Sequence, residues 1–220
     1  MLVFPLFEKL RTRERIRRVT MTRDKSNPTG AGKSSFELID SARFFSELDL
    51  KKGIVFLDLA CGRGTYSLAV SEIVGRDGRI YAVDLWEEGI SSLRSEAASK
   101  GIHNLTALVS DVSHKIPMER ASVDVCLMAT ALHDFIGDHV ERGVMQEIVR
   151  VMKAEGTLAI LEYKKIDGPP GPPKSVRLSP QEVDKFLAPY GFQQQKVVEV
   201  GPDHYLQIFI KADYPEPARN

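Results

Sequence analysis

The 220-residue chain carries 43% hydrophobic and 27% charged residues, with Lys+Arg and Asp+Glu equal at 30 each. That is the composition of an ordinary globular protein with room for a sizeable core, and its zero net charge sets up no field toward nucleic acid or membrane. No apolar run reaches the roughly 20 residues of a membrane span, and Cys61 and Cys126 are too few for a disulfide framework or a thiolate metal site.

The apolar start, Met1 to Phe7, lacks a preceding basic region and a small-residue cleavage site, so a cytoplasmic protein is expected. Pro5 to Val19 reads as a helix, with Leu6, Leu10 and Ile16 offset by Arg11, Arg13, Arg15, Arg17 and Arg18. A solvated face is the plainer reading of that basic set; weak contact with an anionic surface is the sharper one. Ser26 to Ser35 is a polar, turn-rich loop. Its Gly32-Lys33-Ser34 is not a phosphate loop, because Asn27 stands where that motif needs glycine and no strand precedes it. Phe36 to Leu48 is expected to be one helix with an apolar face.

From Ile54 strands and helices alternate, the mark of a parallel α/β sheet. The expected strands are Ile54–Leu59, Arg79–Val83, Leu105–Val109, Ser122–Met128 and Thr157–Tyr163. Helices are expected over Gly64–Val74, Glu87–Lys100 and Asp138–Met152, the last with Asp138 and Glu141 in capping-box spacing. The loop Asp167–Pro173 is rich in proline and glycine, and Ser179-Pro180-Gln181-Glu182 is a strong helix start. Phe192–Val200 and His204–Lys211 then follow each other too closely for anything but an antiparallel hairpin.

The residues with chemistry in them gather at strand ends. Asp58 closes the first strand, and Gly62 and Gly64 follow where a missing Cβ lets backbone approach a ligand. The next helix turns its free N–H groups to the same place. Asp84 ends the second strand and Asp111 follows the third. His133 and Asp134 follow the fourth, and Glu162, Tyr163 and Lys164 end the fifth, with Arg177 beyond the proline loop. No histidine spacing marks a metal site.

Asp58, Ala60, Gly62 and Gly64 resemble motif I of class I S-adenosylmethionine (SAM)-dependent methyltransferases, and the closing hairpin matches that family over roughly Phe36 to Ala212. The resemblance implies an α/β, Rossmann-like seven-stranded sheet, mostly parallel, with one antiparallel strand from the C-terminal hairpin and helices on both faces. It divides the chain into an N-terminal helix and lid or linker (1–35), a methyltransferase domain (36–212) and a tail (213–220). It gives Asp84 the ribose hydroxyls, Leu85 the adenine face, Asp111 and Val112 the adenine amino edge, and Asp58 the methionyl ammonium. Phe36 joins the cofactor set through the N-terminal segment Thr29–Ile39, expected to close over the ligand, and Ala129 through its place at the fourth strand's exit. His133 and Asp134 take the acceptor side, either in catalysis or as pocket wall.

Within the family the chain is similar to the ubiquinone/menaquinone C-methyltransferases and arsenite methyltransferases, though two cysteines cannot supply the thiolates that As(III) requires. The expected cofactor is SAM and the expected partner a small-molecule methyl acceptor, with oligomeric state open. Two other readings stand beside this one: a SAM sensor or scaffold without transfer, and a nicotinamide-dependent oxidoreductase.

Overall fold

The computed structural model describes residues 32–212. The expected basic helix over Pro5–Val19, residues 26–31 of the polar loop and the 213–220 tail lie outside the described residues.

The strands are β1 (Val55–Leu59), β2 (Arg79–Asp84), β3 (Leu105–Val109), β4 (Val123–Ala129), β5 (Met152–Tyr163), β6 (Phe192–Glu199) and β7 (His204–Lys211). They form one seven-stranded sheet in the order β3-β2-β1-β4-β5-β7-β6. The first five are parallel, and β7 runs antiparallel between β5 and β6. The mostly parallel sheet and its closing hairpin are as the sequence implied. β1 and β4 sit at the centre because their residues are apolar on both faces.

Three helices cover one face: α1 (Ser41–Glu47), α2 (Thr65–Val74) and α3 (Glu87–Ser99). Phe44, Tyr66 and Val70 from this layer pack on Phe56, Leu127 and Leu161, and Ile90 and Leu93 pack on Ala82 and Ala107. The other face carries α4 (Leu132–Gly137), α5 (Glu141–Val151) and α6 (Pro180–Leu187). There Ile148, Val151, Val183 and Leu187 pack on Leu57, Met128 and Ile160. The α5 stripe Val144, Met145, Ile148 and Val151 recurs at helical spacing, and each side chain stabilises by about 1.5–3 kcal/mol through burial.

The chain departs from the expected elements in three places. Phe36–Leu48 is not one helix: a 3-10 turn at Phe36–Leu38 gives way to extended backbone at Ile39, and Asp40 caps α1 by accepting from Arg43 N–H at 3.0 Å. Asp138 does not open the fifth helix in a capping box. It ends α4, its N–H donating to Asp134 O at 2.9 Å, and α5 begins three residues later at Glu141 without a side-chain cap. β5 starts at Met152 rather than Thr157, because Met152 already pairs with Val123 before a register shift bulges out Lys153–Gly156. The Ser179–Glu182 capping box forms as read: Ser179 Oγ accepts Glu182 N–H at 3.3 Å and Glu182 accepts Ser179 N–H at 2.7 Å.

The sheet order reverses between β1 and β4, so their following loops part and leave a crevice at the carboxyl edge.

A two-sided cleft at the carboxyl edge of the sheet

That crevice is a cleft of about 440 Å³, inside the size range of small-molecule sites. Asp58, Ala60, Gly62, Asp84, Leu85, Asp111, Val112 and Ala129 of the cofactor set line one side, and His133 and Asp134 the other. Ala60 and Thr130, which follow β1 and β4, both take left-handed backbone, with φ of 56° and 51°. A β-branched residue held there is strained, as happens where a functional loop must turn sharply.

Asp58 is buried, and its Oδ2 accepts from Ser67 N–H at 3.1 Å and Ser67 Oγ–H at 2.6 Å. Burial pushes its carboxyl up to about 7, against the pull of both Ser67 bonds, with the charge of Asp84 adding to the rise. No basic side chain among the described residues offsets that burial. A ligand ammonium would. Asp84 accepts Gly62 N–H at Oδ2 and Trp86 N–H at Oδ1, both at 2.8 Å. Each oxygen keeps a second lone pair, which suits two adjacent ribose hydroxyls. Asp111 folds into a turn with Ser113, accepting its N–H at 3.1 Å and its Oγ–H at 2.6 Å. Partial burial works to raise its carboxyl, but those bonds, joined by the hydrogen bond and charge of His114, outweigh it and hold the carboxyl below the usual range, which keeps it an acceptor.

The two motif glycines differ in what they face. A Cβ on Gly62, at φ +57°, would meet nothing within 4 Å, so this position opens to the cleft. A Cβ on Gly64, at φ +71°, would lie 2.3 Å from Leu93 Cδ2. Gly64 therefore sits against α3 and not against the ligand space. Phe36 likewise stands behind the wall: its ring meets Tyr66 edge-on at 5.1 Å, while Lys33, Ser34 and Ser35 border the cleft. Ser35 Oγ and Tyr66 Oη lie 2.9 Å apart in a buried hydrogen bond that fastens this segment to α2. Of the expected closing segment Thr29–Ile39, residues 29–31 lie outside the described residues.

On the acceptor side, α4 presents a buried His133 whose Nδ1 lies 2.9 and 3.0 Å from the two oxygens of Glu162. Asp134, its sequence neighbour, lies instead toward Nε2, at 3.7 Å. Burial works to depress the imidazole, but the hydrogen bond and charge of Glu162, with Asp134, outweigh it and raise the pKa above its ordinary value. Glu162 thus supports the wall from beneath. Lys164 turns away to Glu199 at 2.9 Å.

Arg177 acts on the cleft through the proline loop. Its Nε, Nη1 and Nη2 donate to five carbonyls, those of Pro172, Lys164, Ile166, Gly168 and Pro170, at 2.6–3.2 Å. All the guanidinium donors are used, and the plane lies 5.5 Å over the Tyr163 ring. The stapled loop brings Gly171, Pro172 and Pro173 into the wall beside Tyr163 and Phe135. The sequence offered a signal for these residues, the proline run directly after a strand end, but nothing in it tied that run to Arg177. Arg63, which lies 5.6 Å over the Trp86 ring at the cleft's rim, carried no such signal.

A family model described as a methyltransferase domain matches residues 50–209. The chain belongs to the class I SAM-dependent methyltransferase family. A SAM-dependent methyltransferase structure from Aquifex aeolicus is 31% identical, covers 81% of this chain and 93% of its own, and superposes with a TM-score of 0.74. A putative type 11 methyltransferase from Sulfolobus solfataricus, 22% identical over 83% of this chain and 98% of its own, shares the fold with a TM-score of 0.64. The demethylmenaquinone methyltransferase of Shouchella clausii (strain KSM-K16) is 29% identical over 116 residues, 53% of this chain and 48% of that protein. The chain spans about half the length of the curated relatives it matches. Among the described residues no helix is long and apolar enough to cross a membrane, and no cluster of three or more potential ligands could hold a metal ion.

Proposed function

We propose that the protein binds SAM in the β1–β2–β3 half of the cleft and moves its methyl group to a small-molecule acceptor in the α4–proline-loop half. One observation carries the reading: Asp58, Asp84 and Asp111, at three successive strand ends, line the same cleft around a glycine whose Cβ position is open. Their chemistry fits the ligand in order. Asp58 would take the ammonium, Asp84 the ribose hydroxyls, and Asp111 the adenine amino group, with Leu85 and Val112 as apolar contacts. When bound, SAM supplies an electrophilic methyl on a sulfonium, and displacement at it needs an acceptor in line. The chain's part is to hold the acceptor against His133, Asp134 and the proline loop and to keep water out.

The test is calorimetry with SAM and S-adenosylhomocysteine, followed by incubation of methyl-labelled SAM with a small-molecule extract. Binding together with label in a new product supports the reading. Tight binding without transfer, in extract that supports other methyltransferases, would favour a SAM sensor. Tight NAD(H) binding with no response to SAM would favour the oxidoreductase.

A further inference from the structure

Glu162 is fully buried at the end of β5, and each of its oxygens accepts a backbone N–H: Oε1 from His133 at 3.2 Å and Oε2 from Tyr163 at 3.3 Å. A backbone N–H can only donate, so each oxygen already accepts once, and against the carboxylate form of Glu162 Nδ1 of His133, 2.9 Å from Oε2, is the donor between them. A proton fixed on Nδ1 leaves the lone pair on Nε2, the ring edge beside Asp134, and both residues border the cleft. We infer that Glu162 is a positioning residue that holds His133 as the Nδ1–H tautomer, so that Nε2 takes the proton from an acceptor whose nucleophilic atom carries a weakly acidic X–H, such as a hydroxyl or an activated carbon.

The inference rests on the methyl-transfer reading and narrows its acceptor. A thioether or tertiary amine has no proton to lose, and for such acceptors an imidazole fixed on a buried carboxylate would be a desolvation cost without a task. With a protic acceptor the balance closes. The X–CH3 bond forms as the C–S bond breaks, its electron pair returns to sulfur as a neutral thioether, and the X–H proton moves to Nε2. The imidazolium so formed lies between Glu162 from β5 and Asp134 from α4; Arg177, behind the proline loop, opposes it, and Tyr163 flanks it with ring centroids 6.1 Å apart. Its pKa is raised, as a group that must accept a proton requires. Around it the wall is tightly built: a Cβ on Gly171 would lie 2.5 Å from the Tyr163 ring.

Histidine-selective 15N NMR of the full chain tests the inference without a known acceptor. In the wild type the neutral His133 ring should show a protonated Nδ1 and a bare Nε2, and should titrate above an ordinary histidine. Glu162→Gln should lower that titration by about one unit or more while leaving S-adenosylhomocysteine affinity unchanged, and should move the acid limb of any transfer rate to lower pH. An Nε2–H tautomer in the wild type overturns the proposal whether or not the variant folds, as does a His133 titration that Glu162→Gln leaves in place. Labelled product bearing an O-methyl or C-methyl group supports the acceptor class; a sulfonium or quaternary ammonium product refutes it. Failure of S-adenosylhomocysteine to bind would overturn the methyl-transfer reading instead, since the NMR titration of the ligand-free chain decides the dyad by itself.

Discussion

Asp58 closes β1 in a buried site where, among the described residues, the Ser67 hydroxyl and N–H relieve its charge, and its carboxyl is pushed up to about 7. Its folded pKa lies above the ordinary 3.8, so between 3.8 and about 7 the folded chain holds a proton that the unfolded chain has released. Stability therefore falls as pH rises through that window. Asp58→Asn keeps an oxygen for Ser67 and removes the buried charge, so at pH above the folded pKa it should stabilise the protein by on the order of 2–4 kcal/mol. The same change should weaken SAM by about tenfold or more, because the ammonium loses its partner. Since the ammonium would pull Asp58 back to its charged form, SAM binding near neutral pH should release protons. Calorimetry in two buffers of different ionisation enthalpy measures that release, and a proton count of zero would refute the role. Gly62 and Gly64 offer a second contrast. Gly64→Val should lower stability by about 2 kcal/mol or more, through its positive φ and its clash with Leu93. Gly62→Val should cost about 1–2 kcal/mol in backbone strain yet remove SAM binding. Equal ligand affinity in the folded fraction of Gly62→Val and wild type would show that the open side of this turn is not the ligand side.

The proline loop is held in shape by one guanidinium at its far end. Arg177→Ala strands five carbonyls and uncovers Tyr163, while Arg177→Lys offers three donors where five are used. Both variants should lose methyl transfer, and both should keep SAM affinity within about twofold, because Asp58, Asp84 and Asp111 lie in the other half of the cleft. Amide exchange over 164–177 should quicken in both; unchanged exchange would mean the loop is held by something other than Arg177. Elements whose cause is local were legible in the sequence: the Ser179 capping box, the central apolar strands, the acids at their ends, the closing hairpin. Those whose cause lies across the fold were not. α4 is six residues long and shows no period of its own. The Glu162–His133 pair joins positions 29 residues apart that meet only because β5 lies beside β4. Asp138 and Glu141 have the spacing of a cap, but the end of α4 claims Asp138 first.

At the scale of the whole molecule, the cleft draws its two sides from opposite layers: α2 and the segment from Lys33 to Ser35 stand on one side of the sheet, α4 on the other, and β1, β2 and β4 run between them. A ligand that bridges these parts must stabilise the fold as a unit. S-adenosylhomocysteine at about 100 times its Kd should add about 2.7 kcal/mol, which for a domain of this size raises Tm by about 5–10 °C. NAD+ at the same concentration should leave Tm where it is. Asp84→Asn sharpens the comparison. Asp84→Ala would strip Gly62 N–H and Trp86 N–H of their acceptor and so disturb the turn along with the ligand. Asparagine keeps one oxygen, so one of the two turn N–H groups loses its acceptor instead of both, and it loses the charge that strengthens the ribose bonds. Its affinity should fall about 10–100-fold, from bonds worth roughly 1.5–3 kcal/mol. At the same ligand concentration, its Tm shift should shrink to about half that of the wild type or less, while the ligand-free Tm falls by less than in Asp84→Ala. A full Tm shift in Asp84→Asn would remove Asp84 from the ribose site, and an equal shift with NAD+ in the wild type would return the cleft to the dinucleotide reading.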